Sequence, residues 1–214
     1  MQGLDPVDFD DLLSQTEWNR SLQRSLIHWI GVNHTDEVLE AGCGTGRFVL
    51  QLAQRAKWVT GLDPSSEMVE RAKLNAQDLS VENINFAVGD VHQLAFPKAR
   101  FDLVVALNQL FAFEDAERAL SELVRVCRPQ GQIVLLNPGP NMNPWAVQSF
   151  SEVHNLRDFE RDSLLSFATA AARHPQFDEQ AMASMAESAG AKVADAVVLL
   201  EGLAVVTQLL PEVS

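Results

Sequence analysis

Three glycines at alternate positions, Gly42, Gly44 and Gly46, directly follow the apolar stretch Val38-Leu39-Glu40-Ala41 in this 214-residue chain. A strand that runs into a glycine turn and then a helix brings backbone close to a cofactor at the carboxyl edge of a parallel sheet. Without Cβ atoms such a turn can be tight, and a ligand can rest directly on it. The spacing is G-x-G-x-G, and Arg47 stands where the dinucleotide fingerprint G-x-G-x-x-G has its third glycine. That glycine lets helix and strand pack closely beneath a pyrophosphate, so a side chain of this size disfavours a pyrophosphate site.

Carboxylates follow at the ends of the next two predicted strands. Asp63 lies close to the interval at which an acidic residue reaches the ribose hydroxyls of a bound adenosine. With Pro64 behind it, the same residue also suits a helix N-cap. Asp90, in Gly89-Asp90-Val91, is placed to accept from an exocyclic adenine amine or to cap a turn. Val91 and Met68 offer apolar contact to the ring, although Met68 also falls on the apolar face of a helix.

The elements that must position these residues alternate along the chain. Phe9–Ile30 has helical spacing, Val38–Ala41 is a short strand, and Arg47–Ala56 returns to helical spacing. Lys57–Leu62, Ile84–Val88, Phe101–Leu107 and Gln132–Asn137 read as further strands. The continuous apolar run at Phe101 suits a strand covered on both faces. Ala116–Cys127 is an amphipathic helix stopped by Arg128-Pro129. Residues 138–177 break the rhythm with helical patches of their own at Trp145–Asn155 and Asp162–Arg173, as a lid or insertion does. After a helix near Asp178–Ser188, the runs Lys192–Leu199 and Leu203–Leu210 flank Glu201-Gly202, which predicts a hairpin with an antiparallel last strand. The expectation is a doubly wound, mostly parallel α/β sheet in a single domain over 1–214. Residues 1–33 form an N-terminal helical cap, and 138–177 a helical insertion.

The ordered set Val38 to Gly46, then Asp63, then Gly89-Asp90, then Phe101-Asp102-Leu103-Val104-Val105 resembles the class I S-adenosylmethionine-dependent methyltransferases. It is most similar to their small-molecule group, which includes the ubiquinone/menaquinone-biosynthesis C-methyltransferases. Leu123 to Gln132 resembles the segment before strand five in that group, with Gln130 departing from its usual Pro-Gly-Gly. The resemblance implies a Rossmann-like seven-stranded sheet of order 3-2-1-4-5-7-6. It also implies S-adenosylmethionine as cofactor, bound through Glu40, Gly42, Cys43, Gly44, Gly46, Asp63, Pro64, Met68, Asp90, Val91 and Asn108. Glu40 would lie near the methionine amino group, the glycines along the methionine part, Asp63 at the ribose and Asp90 at the adenine. Asn108 would face the acceptor, and Cys43 would pack rather than attack.

The activity implied is transfer of a methyl group to a small organic acceptor. Because a sulfonium donor is already activated, alignment supplies much of the rate, with effective molarities of about 10⁵ M or more in well-oriented systems. Where the acceptor arrives protonated, His154 is the first candidate base, ahead of His174, His28 and His92. A S-adenosylmethionine-binding regulatory or assembly protein without turnover, and a less favoured NAD-dependent oxidoreductase, are the alternative readings.

Charge and composition narrow the partners. A net charge of −13 and the lack of a Lys/Arg run disfavour nucleic acid. Asn108-Gln109-Leu110-Phe111 also differs from the Asp/Asn-Pro-Pro-aromatic run of many nucleic-acid amino-methylating enzymes. No acidic cluster suggests a metal, no apolar run reaches membrane-spanning length, and the N-terminus has no secretory pattern. With two cysteines, a reducing, cytoplasmic setting is expected.

Overall fold

The computed structural model describes residues 4–174 and 177–212. The expected cap (1–33) and insertion (138–177) therefore each include positions outside the described residues. Seven strands form one sheet of order β3-β2-β1-β4-β5-β7-β6. They are β1 (Glu37–Ala41), β2 (Trp58–Asp63), β3 (Ile84–Val88), β4 (Phe101–Leu107), β5 (Cys127–Pro138), β6 (Ala191–Leu199) and β7 (Ala204–Pro211). The first five run parallel and β7 is antiparallel to both neighbours, as the resemblance implies.

Alternating side chains of the central strands feed two cores. Val38, Val105 and Val134 point into one, against α2 (Glu17–Ile30), α3 (Arg47–Ala53), α4 (Ser66–Asp78), α6 (Pro144–Val153) and α7 (Asp158–Ala171). Leu39, Val104 and Ile133 point into the other, against α5 (Ala116–Val126) and α8 (Glu179–Ser188). This period-two division explains why these strands read as unbroken apolar runs: both faces are covered.

Local chemistry sets the helix ends. Ser65 Oγ accepts from the Met68 amide at the start of α4, and Asn143 Oδ1 accepts from Ala146 ahead of Pro144 in α6. Asp178 does the same for α8 through Ala181. The single N-terminal helix expected over Phe9–Ile30 is instead two, α1 (Pro6–Leu13) and α2. The chain turns at Ser14–Thr16, where Thr16 is extended and its hydroxyl donates to the Leu13 carbonyl at 2.8 Å. Such local side-chain bonds compete with helix continuation. β5 begins earlier than expected, at Cys127, and the β6–β7 connection is a short 3-10 turn rather than two residues.

The N-terminal helices and the insertion touch each other. Phe9 packs edge-on against Phe159 at 5.7 Å, Trp18 against Phe167 at 6.2 Å, and Trp18 Nε1 donates to Ser163 Oγ. α1 is fastened to α3 and α4 through Asp11. Its carboxylate accepts from Arg47 at 3.1 Å and from Arg71 at 2.6 Å. Among the described residues no helix is long and apolar enough to cross a membrane.

Candidate cofactor site

The carboxyl ends of β1, β2 and β4 open into a cleft of about 260 Å³, lined also by α1, α2 and Phe167 of α7. The glycine turn forms its floor. Gly42 and Cys43 both donate their amides to the Leu62 carbonyl, at 2.7 and 3.0 Å, which fastens the turn to β2. A Cβ on Gly42 would stand 2.5 Å from Gln109 Cγ, and one on Gly44 would stand 2.7 Å from Asp10 Oδ2. Both glycines also have positive φ, so the close approach and the backbone conformation ask for the same residue.

Asp63 joins the turn to the second strand. Its Oδ2 accepts the Gly44 amide at 2.9 Å and its Oδ1 accepts the Ser65 amide at 2.9 Å. Each oxygen retains a lone pair. Glu40 is only 3% exposed, and its Oε2 has no hydrogen-bond partner. Burial pushes its carboxyl well above the usual carboxylate range; Asp10 and Asp63 add to the rise and the Val49 amide opposes it. Asp10 reaches in from α1, where Oδ2 accepts the Thr45 amide at 2.8 Å. Burial raises its carboxyl too, against that hydrogen bond. The Cys43 thiol is pushed up by burial and by Glu40 and Asp63, and its sulfur fills the space beside Gly61, so it is a packing group and not a thiolate.

The cleft thus collects Glu40, Gly42, Cys43, Gly44, Asp63, Met68 and Asn108 of the sequence candidates. Asn108 takes positive φ just past β4, a conformation asparagine tolerates better than most residues. Gly46, Pro64, Asp90, Val91 and His154 do not line it. Gly46 is small because a Cβ there would meet Phe86 and Ala72 at 2.8 and 2.9 Å. Asp90 caps the 3-10 turn Val91–Gln93, accepting from the His92 amide and lying 2.7 Å from His92 Nδ1. Val91 is buried in the α5-side core. His154 ends α6, stacked on Phe150, with Nε2 2.8 Å from Glu201 Oε1 in the β6–β7 turn. His174 sits edge-on to Phe111 and His92 edge-on to Phe113, and neither lines the cleft.

Sequence reasoning missed the groups that the N-terminal helices contribute: Asp10, Leu13 and Ser14 from α1 and its end, and Asn19, Leu22 and Gln23 from α2. The available signal was a carboxylate, Asp10, at helical spacing from Leu13 and Ser14. Gln109 follows Asn108 at the same strand end and was reachable by the same edge rule.

A doubly wound sheet of this order, with a glycine turn and a following carboxylate gathered at its carboxyl edge, defines a Rossmann-like nucleoside-cofactor domain. Residues 38–131 match the family model described as a methyltransferase domain. The chain is 31% identical over 131 residues to an uncharacterized methyltransferase, YcgJ, of Bacillus subtilis (strain 168), covering 60% of this chain and 52% of that protein. It is 39% identical over 101 residues to a phosphatidylethanolamine N-methyltransferase of Cereibacter sphaeroides, covering 47% and 49%. The chain thus spans about half the length of these relatives. In fold it is similar to the crystal structure of magnesium protoporphyrin IX methyltransferase from Synechocystis PCC 6803 with bound SAH, with a TM-score of 0.69 at 19% identity over 96% of this chain and 94% of that one.

Proposed function

We propose that this protein transfers a methyl group from S-adenosylmethionine to a small organic acceptor in the cleft. The observation that carries the reading is Glu40: a buried carboxylate, one oxygen unpartnered, beside a glycine turn that has no room for a side chain. An isolated buried carboxylate is costly unless a cation or hydrogen-bond donor meets it. The ammonium of a methionine moiety is such a group. Asp63, with a free lone pair on each oxygen, suits ribose hydroxyls, and Met68 offers an apolar contact for the base. Bound there, the cofactor would supply an activated methyl group.

For the acceptor, Leu13, Leu22, Leu26 and Phe167 offer an apolar wall, interrupted by Asn19 and Gln23. The only cation among the described lining residues is Arg47, which Asp11 already engages. A polyanion would need several free cations to replace its counterions, so a small acceptor without strong negative charge fits better. No histidine lines the cleft among the described residues, which favours catalysis by alignment over proton abstraction by imidazole. The cap (1–33) and the insertion (138–177) would together cover the site, and a cytoplasmic setting belongs to the same reading. Incubation with methyl-labelled S-adenosylmethionine across amines, phenols, thiols, carboxylic acids and quinols tests it. Transfer to one acceptor class that is lost in Glu40→Gln supports the reading; cofactor binding without transfer to any class would favour a non-catalytic role.

A further inference from the structure

Three carboxylates face this cleft, and none of the described ion pairs involves any of them. Asp10, Glu40 and Asp63 all line it, while the nearby arginines, Arg47 and Arg71, are both turned onto Asp11. Asp10 differs from the other two because it comes from α1, outside the sheet. The only described hydrogen bond to its side chain is from the Thr45 amide, and its Oδ2 lies against Gly44. Asp11, Asp63 and Glu40 are all acidic groups, so the side chains packed around Asp10 supply no countercharge. Glu40 supplies an independent sign that the chamber is built for a cation, since its buried Oε2 lacks any partner.

We propose that Asp10 is a binding residue for the positively charged methionine end of the cofactor, contributed by the N-terminal helix. This rests on the reading of the cleft as a S-adenosylmethionine site and adds a residue to it. Bonding between Asp11 and the arginines has a second role in this arrangement: it holds α1 in place and keeps cations away from Asp10. The carboxylate beside the glycine turn is thereby left to the ligand.

The test is Asp10→Asn, which keeps an oxygen able to accept the Thr45 amide and removes only the charge. Isothermal titration compares S-adenosylmethionine with 5′-methylthioadenosine, which has the nucleoside and sulfur but neither the ammonium nor the sulfonium charge. The expected result is about tenfold weaker binding of S-adenosylmethionine, with methylthioadenosine changed less than about twofold. Unchanged S-adenosylmethionine affinity overturns the proposal. So does an equal loss for both ligands, which marks a structural effect of loosening α1. If the unsubstituted protein binds neither ligand, the reading of the cleft itself fails and takes this inference with it.

Discussion

The Gly44 amide donates to Asp63 Oδ2 at 2.9 Å, so the glycine turn after β1 and the acidic end of β2 are one hydrogen-bonded unit. Two motifs 19 residues apart in sequence are in this way set to a common geometry. Replacing Asp63 therefore removes both a cofactor contact and the brace that shapes the turn. Asp63→Ala is expected to weaken S-adenosylmethionine binding by about tenfold or more and to destabilise the fold by about 1–3 kcal/mol. Titration and denaturant unfolding measure the two effects, and an unchanged dissociation constant would reject the ribose role.

Glu40 makes cofactor binding a proton-linked event. Burial holds its carboxyl well above the usual range, which favours the protonated form in the free protein, and a bound ammonium favours the ionised form. Binding should then release a proton, and affinity should fall as pH is lowered through the raised value. Titrations at one pH in buffers of different ionisation enthalpy would show an apparent enthalpy that varies with the buffer. The dependence should vanish in Glu40→Gln. A buffer-independent enthalpy in the native protein would mean that Glu40 does not change charge.

Asp11 fastens α1 to the glycine helix and α4. Although burial pushes its carboxyl up, the hydrogen bonds and charge of Arg47 and the hydrogen bond from Asn75 outweigh that and hold it below the ordinary value. A depressed carboxyl contributes stability that is fully present above its unfolded value, near pH 4, and is lost as pH falls through the native one. Because the arginines are partly exposed, Asp11→Asn should cost only about 1–2 kcal/mol at neutral pH. The gap between variant and native protein should narrow in acid. Equal gaps at pH 7 and in acid would show that the contribution is not electrostatic.

Gly46 is a packing position. With positive φ and Phe86 within 2.8 Å of any Cβ, Gly46→Ala should lower stability by about 2–4 kcal/mol. Chemical denaturation reads this directly, and an unmoved midpoint would show that α3 can shift away from Phe86 at little cost.

What was legible in the sequence was local. The turn from Gly42 to Gly46, Asp63 and Asn108 sit at strand ends, and the parallel-sheet rule sends all strand ends to one edge. At Asp90 the same edge rule meets a local cap, since Oδ1 accepts the His92 amide, and the residue lies outside the cleft lining. It was silent on Asp10, which reaches Thr45 across 35 residues only because α1 folds back over the turn. His154 had suitable chemistry, but its orientation depends on α6 packing against the β6–β7 turn, a tertiary relationship with no periodic trace. The break between α1 and α2 was similarly hidden, because Ser14 to Thr16 interrupts the helix while apolar spacing continues on both sides.

Direct titration of the protein with S-adenosylmethionine and, separately, with NAD tests the central claim most directly. The expected result is one-to-one binding of S-adenosylmethionine, competition by S-adenosylhomocysteine, and weakening in Asp63→Ala and Glu40→Gln. Binding of NAD with no response to S-adenosylmethionine would contradict it.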